Sequence, residues 1–519
     1  MHDKKKNLYL IIIIFVYVGL TFTLFFAAVS NIQGHFGYPL DDTYIHMAVA
    51  KHFVTDGNWG LTKGQFTSSS SSPLWTLLVS FLFKVGGIQD WLPFAANLVI
   101  GIILVIASYS LLLKFSSPSI AGITVIAAIL FTPLPILTLI GMEHTLHILL
   151  TIIFVFLSAR YLSEPSPSRR SFLFLLLIAP FFTMVRYESF FILMGVIFFL
   201  FLQRKFLQGV FLFLTSMVPH ILYGIISIKN DWHFLPSSIL IKGNLPTFTS
   251  AGIMGFALKV FYKVAGNPHI SVLILLLIAT FVLKRKSGKH WDIKRYMLWI
   301  TLVGALLHIV FADVGWFYRY EGYLIYLGLF TIGMVLSEFD NLADEAALHQ
   351  LFFKKQVLPT ILTLLILSPF LFRTSDAFKE YPIAVQNIYQ QQYQMGLFIR
   401  QYYGGKTILA NDVGAINYLG DAYVIDIFGL GSKEFADLWI RNQISSQGII
   451  KYGNQVNPDL IVISESILNG INPKGWRKIE SWKIPNNVVC IDDVVTFFTT
   501  TPENQALLEA HLQKFAPSL

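Results

Sequence analysis

The chain has 519 residues, 55% of them hydrophobic and only 13% charged, with a net charge of +8 and a mean hydropathy of +0.61. Soluble domains carry roughly 25% charged residues, so this balance excludes an ordinary soluble globule and makes the bilayer the solvent for most of the chain. The single cysteine, Cys490, excludes an intramolecular disulfide framework and a Cys-based metal site, and basic residues scattered in short clusters do not form the patch that nucleic acid requires.

Met1 to Lys6, followed by the apolar run Asn7 to Val29, reads as a retained first helix. The run is longer than a signal-peptide core and lacks a clear small-residue cleavage site. A spanning helix needs about 20 apolar residues. Candidate spans are 8–29, 92–113, 118–136, 143–161, 171–185, 188–203, 206–228, 268–284, 296–312, 319–336 and 356–372, about eleven in all. Pro73 to Val85 is apolar but short, and reads as an interfacial or re-entrant segment, as does Ala251 to Val264 with Lys259 and Lys263. With Lys4, Lys5 and Lys6 inside, alternation places every basic cluster inside: Lys114, Arg160 with Arg169 and Arg170, Arg204 with Lys205, Lys284 through Lys289 to Lys294 and Arg295, and Lys354 with Lys355. This satisfies the positive-inside rule and gives an N-in/C-out topology.

The expected fold is an all-α polytopic membrane domain over 1–372, with a first outer loop at 30–91, and an extracytoplasmic α/β domain over 373–519. The tail has short apolar strands at Thr407–Ala410, Tyr423–Ile427 and Leu460–Ile463, and a helix start at Thr501-Pro502-Glu503, with Thr501 as cap.

Ionisable groups near a membrane are costly and mark sites or pathways, and here they gather in the outer connections. Asp41 and Asp42 are adjacent carboxylates at a helix start. Capping accounts for one of them; a repelling pair also suits a general base, or oxygen ligation of a divalent cation such as Mg, Mn or Ca. His46 shares a helical face with Asp42, and reads as a ligand or as an interfacial histidine. The serine run Ser68–Ser72, followed by Pro73, Leu74 and Trp75, is either a turn and cap or the lining of a sugar site. Glu143-His144 and Arg186-Tyr187-Glu188 lie at outer helix ends, and Arg186 and Glu188 can simply pair with each other. Lys242 and Arg319, beside Tyr320, are outer cations against the positive-inside trend. They suit a lipid phosphate or headgroup anchoring in an aromatic belt.

In this order, Asp41-Asp42-Thr43-Tyr44-Ile45, Ser72-Pro73-Leu74-Trp75-Thr76-Leu77-Leu78, Gly141-Met142-Glu143-His144, Arg186-Tyr187-Glu188, Leu235-Pro236-Ser237-Ser238 with Lys242, and Arg319-Tyr320 resemble the bacterial GT-C membrane glycosyltransferases. The similarity is greatest to the branch of the mycobacterial terminal β-arabinofuranosyltransferases. In the tail, Asn411-Asp412-Val413-Gly414-Ala415 and Asp426-Ile427-Phe428-Gly429-Leu430 are similar to segments of such proteins' outer domains. Arg-Tyr-Glu for the family's Arg-Pro-Glu and Glu143-His144 for its Glu-Thr are departures that bear on substrate more than on class.

The resemblance implies a polyprenyl-phosphate sugar donor, inversion at the anomeric carbon, a glycan or glycolipid acceptor, and a catalytic Asp in the first outer loop of a multi-pass protein of the bacterial cytoplasmic membrane. On that basis Asp41 is expected as base with Asp42 second, Lys242, Arg319 and Arg186 at the donor phosphate, and Glu143, His46, Trp75 and Tyr320 at substrate. The alternative is a polytopic transporter or lipid-linked glycan flippase, a class that favours mid-membrane ionisable residues and a repeated half.

Overall fold

The computed structural model describes residues 2–242, 250–286, 291–337 and 357–515. Gly243, Asn244, Lys289, Lys354 and Lys355 lie outside the described residues, as do the side chains of Lys242, Arg285 and Lys286. Each expected span falls on a helix: His2–Asn31, Leu92–Leu112, Pro118–Phe131, His144–Ser163, Arg169–Val185, Ser189–Leu202, Phe206–Lys229, Pro268–Lys286, Ile293–Phe311, Gly322–Leu336 and Val357–Ile388. Among the described residues, five helices are long and apolar enough by themselves to cross a membrane. A sixth is counted if Gly252–Gly266 and Pro268–Lys284, bent by 89°, are taken as one. The helices at 118–131 and 189–202 have 14 residues each and rise only about 21 Å, short of a ~30 Å hydrocarbon core. The chain compensates at the first of them by turning at Thr132-Pro133 into the short helix Leu134–Leu139. Only 22% of the apolar window of the first helix and 28% of that in Phe206–Lys229 are buried by protein. Their remaining apolar surface needs a non-aqueous neighbour.

Helix contacts depend on small residues where side chains of neighbours enter. A methyl group at Gly101 would sit 1.9 Å from Tyr17 Oη, and one at Gly333 would sit 2.3 Å from Thr124. Tyr17 Oη in turn bonds Thr138 Oγ1 at 2.7 Å. Two of the expected non-spanning segments are also helical, at Pro73–Gly86 and Ser250–Gly266. The stretch 30–91 contributes the helix Asp41–Asp56, which is buried from Thr43 to Ala50 and at His52.

The long helix Val357–Ile388 runs unbroken past residue 373 and continues through a π-helical turn, Tyr389–Tyr393, into Gln394–Tyr402. Beyond it lies a five-stranded sheet: β1 Thr407–Ala410, β2 Tyr423–Asp426, β3 Leu460–Ser464, β4 Arg477–Lys483 and β5 Val494–Thr499, in the order β2-β1-β3-β5-β4. β1 is parallel to β2 and β3, pairing Leu409 with Ile425 and Ile461, whereas β5 is antiparallel to β3 and β4. One sheet face buries Leu409, Ile425, Ile461 and Phe498 against Ile449 and Trp476. The other, with Ile408, Val462 and Phe497, joins the core that extends into the helical part. The final helix, Pro502–Lys514, is capped as its sequence predicts, with Thr501 Oγ1 accepting from the Asn504 amide.

Candidate active site

The carboxylate pair begins the helix Asp41–Asp56 with the two side chains committed to different partners. Asp41 faces the tail domain. Its Oδ2 accepts the Gly414 amide at 2.7 Å and its Oδ1 the Ala415 amide at 2.8 Å, so the N-terminus of the helix Gly414–Leu419 grips it. Gly414 is required there, since a methyl group would sit 2.1 Å from the Asp41 carbonyl oxygen and 2.7 Å from Oδ1. Burial pushes the Asp41 carboxyl up to about 6; the amides of Ala415 and Gly414 oppose this, and the neighbouring Asp42 charge adds to it. Asp42 instead accepts from Arg319 Nη2.

Arg319 is 3% exposed, sends Nη1 to Met142 Sδ at 2.9 Å, and lies 5.1 Å from the Tyr320 ring centroid. Its Nε is buried without a hydrogen-bond partner among the described residues. Arg186 stacks on the same ring at 5.6 Å, forks onto Glu188 at 3.0 and 2.5 Å, and donates to Glu143 Oε1 at 2.6 Å. The Arg186–Glu188 pairing anticipated from sequence thus exists, with Glu143 added. Glu143 is wholly buried, between Arg186 and His46, whose Nε2 is 3.6 Å from Oε2. His46 Nδ1 bonds Thr76 Oγ1 at 2.8 Å, and Thr76 bonds Ser70 at 2.9 Å. Burial holds His46 below its ordinary range, opposed by Glu143, which favours a neutral imidazole.

These groups border two adjoining cavities. The smaller, ≈ 290 Å³, is walled by Asp42, His46, Arg186, Glu188, Arg319 and Tyr320, with Ser69 and Ser71 from the serine run and Ser238 opposite. The larger, ≈ 700 Å³, lies between Asp41 and Asp42 on one side and Asn411, Asp412, Phe428 and Trp439 of the tail on the other. Asp42, Asp313, Tyr320 and Leu430 border both. Trp75 is fully buried and lines neither cavity; the next residue of its helix, Thr76, reaches the site only through His46. Lys242 ends the short helix Ser237–Lys242, whose Ser238 and Ile241 reach the smaller and larger cavities respectively.

Two tail carboxylates complete the site. Asp412 Oδ2 accepts from Asn411 at 2.8 Å and from Gln392, in the π-helical turn, at 3.2 Å. Burial, then the Asp41 charge, pushes Asp412 up to about 7. Asp426 accepts the amides of Phe428, Leu430 and Gly431 at 2.7, 2.6 and 2.8 Å and so shapes the loop that carries Phe428 and Leu430 to the cavity. The signal for both lay in the segments 411–415 and 426–430, already notable in sequence.

Both Asp41 oxygens take backbone amides, Asp42 faces a guanidinium, and among the described residues no group of three or more His, Cys, Asp or Glu side chains is placed to hold a metal.

A family model described as a domain of unknown function, DUF8728, matches residues 386–499. No curated protein sequence matches the chain. Among solved structures, ArnT from Cupriavidus metallidurans bound to undecaprenyl phosphate superposes with a TM-score of 0.55 at 10% identity, covering 94% of this chain and 98% of ArnT. The apo state of the same protein gives 0.52 at 12% identity with the same coverage. The chain shares the overall fold of ArnT. The archaeal oligosaccharyltransferase AglB from Archaeoglobus fulgidus, in complex with an inhibitory peptide and a dolichol-phosphate, aligns at a TM-score of 0.49 and 11% identity, over 94% of this chain and 74% of AglB. The coverage by ArnT includes nearly the whole chain, so helical part and tail domain fall within one likeness.

Proposed function

We propose that the protein is a membrane glycosyltransferase that moves a sugar from a polyprenyl-phosphate donor to a glycan or lipid-linked acceptor. The observation that carries this reading is the pair Arg186 and Arg319, both against the Tyr320 ring, lining one cavity with Asp42, the neighbour of Asp41. ArnT, with which the chain shares its fold, is seen bound to undecaprenyl phosphate.

In this reading the donor phosphate enters the smaller cavity. The unpartnered Arg319 Nε–H supplies a charge-assisted hydrogen bond, and the two guanidinium groups supply positive charge, to the phosphate oxygen as it leaves. Asp41 is the base: its proton affinity is set near neutrality, and its oxygens are fixed by two amides while lone pairs remain for an acceptor hydroxyl. The hydroxyl oxygen attacks the anomeric carbon, the carbon–phosphate oxygen bond breaks, and the hydroxyl proton passes to Asp41. Attack opposite the phosphate inverts the anomeric centre. Asp42 holds Arg319 in place, and Glu143 does the same for Arg186. The reading puts the site on the extracytoplasmic side of a bacterial cytoplasmic membrane, with the sugar a hexose or a pentose, as in the arabinofuranosyltransferase branch.

Purified protein incubated with a panel of undecaprenyl-phosphate-linked sugars should release undecaprenyl phosphate with at least one of them. Asp41→Asn should abolish release, and Arg319→Ala should lower kcat by about a hundredfold, the scale for losing one oxyanion donor. Full activity in both variants would sink the assignment. Failure of undecaprenyl phosphate to bind the wild-type protein would sink the donor class.

A further inference from the structure

The two cavities differ in chemistry, and the difference separates their occupants. The smaller has the two arginines. Among the described residues the larger has no Arg or Lys in its lining, and it collects Asp41, Asp42, Asp313 and Asp412. Four carboxylates repel a phosphate, although apolar residues such as Ile45, Ile241, Ile388 and Val489 line the same cavity. The carboxylates are good acceptors for neutral hydroxyl groups.

Aromatic surfaces accompany them. Trp316 is 49% exposed on a loop in which Phe317 and Tyr318 take positive φ of 47° and 62°. That costly backbone is held by Arg373, which donates to the Tyr318 carbonyl at 2.7 Å and to Glu321 at 2.7 Å, while Glu321 accepts the Gly315 amide at 2.8 Å. From the tail side, Trp439 is fixed by its indole N–H to the Ile427 carbonyl at 2.8 Å, and it lies 5.8 Å from the Phe428 ring. Asn411 and Gln392 engage only Oδ2 of Asp412; Oδ1 accepts no hydrogen bond among the described residues. Asn411, Asp412 and Phe428 follow the carboxyl ends of β1 and β2, parallel neighbours in the sheet, which is where open α/β sheets bind ligands. A volume of ≈ 700 Å³ lies within the ordinary range of ligand pockets.

We propose that this larger cavity is the acceptor site and takes a neutral carbohydrate, stacked on Trp439, Phe428 and Trp316 and held through a hydroxyl at Asp412 Oδ1. The sugar ring's apolar C–H face covers the aromatic rings, and a second hydroxyl is delivered to Asp41 on the opposite wall. The tail domain thereby chooses the acceptor while the helical part holds the donor. This assignment rests on the transferase reading above for its role, but the binding itself is measurable alone.

The test uses the full-length protein in nanodiscs and four fluorescein-labelled linear tetrasaccharides, of mannose, glucose, galactose and arabinose, read by anisotropy. Undecaprenyl phosphate binding is measured in parallel by native mass spectrometry. At least one tetrasaccharide should bind, and Trp439→Ala and Asp412→Asn should each weaken it tenfold or more with undecaprenyl phosphate binding unchanged. Ile491→Trp, at a rim position 51% exposed, blocks the cavity without disturbing the core and should do the same. The proposal is overturned if no tetrasaccharide binds a protein that does bind undecaprenyl phosphate, or if one binds wild type and all three variants alike. It is also overturned if the variants weaken undecaprenyl phosphate instead, which would make the cavity a lipid path. Loss of undecaprenyl phosphate binding in the wild type refutes the donor reading alone, and the tetrasaccharide arm still decides the cavity.

Discussion

Gly414→Ala tests whether the tail domain sets the chemistry of Asp41. The added methyl would stand 2.1 Å from the Asp41 carbonyl oxygen, so the helix Gly414–Leu419 must draw back by roughly 1 Å or more to reach an ordinary contact. Bonds of 2.7 and 2.8 Å from the Gly414 and Ala415 amides then leave the hydrogen-bonding range. A hydrogen bond to a charged group contributes about 1.5–3 kcal/mol, and 1.36 kcal/mol is about one pKa unit. With water replacing one of the two, the net loss of one anion-favouring bond should raise Asp41 by about one to two units from its present value of about 6. A base must be ionised, so the rate at pH 7 should fall about two- to tenfold and recover by about pH 9. The assay is the initial rate of undecaprenyl phosphate release across that pH range, with the melting temperature as control. An acid limb that stays at its wild-type position in a folded variant would refute the argument.

Three further outcomes are expected. Asp412→Asn removes a like charge beside Asp41, so the acid limb of the rate profile should move to lower pH. Because Asp41 and Asp412 are both raised in the fold, their contribution to stability is fully present below the ordinary carboxylate range and lost as pH rises through about 6 to 7. Asp412→Asn should therefore flatten the decline in melting temperature over that window. Glu143→Ala leaves Arg186 buried with one partner fewer, and thermal or denaturant unfolding should show a loss of about 3 kcal/mol or more. Treatment with EDTA should leave activity unchanged within about twofold, since Asp41 and Asp42 are occupied by amides and a guanidinium; complete loss restored by a divalent ion would show that the pair rearranges around a metal.

Much of the helical part was legible because apolar run length is a local property. The eleven expected stretches are helices, the tail strands lie where β-rich runs stood, and Thr501 caps as predicted. The number of membrane crossings was not legible in the same way. It depends on how helices of 14 or 15 residues are bent and joined, as at Thr132-Pro133 and at the 89° break after Gly266. At the site, spacing brought Asp41, Asp42 and His46 to one helix, and motif order suggested Arg186 and Arg319. Partner choice was hidden. Nothing near Asp41 in sequence announces Gly414 and Ala415, and of the roles open to Glu143 in sequence (acceptor, cation or another side chain) the structure shows a side-chain partner, Arg186. The aromatic Trp75 had been expected at substrate, yet its size and apolarity draw it fully into the core, and Trp316 and Trp439 line the larger cavity instead.

The grip on Asp41 also carries a clock. The Gly414 amide that holds it lies 373 residues further along the chain. At roughly 5–20 residues per second of synthesis, about 20 to 75 seconds separate the emergence of the carboxylate from that of its amide cradle. During that interval the helices can enter the bilayer and meet lipid carriers with the base unorganised. On the proposed function, competence would arrive only when the last quarter of the chain has folded and docked, and a truncated product would be inert toward a polyprenyl-phosphate donor.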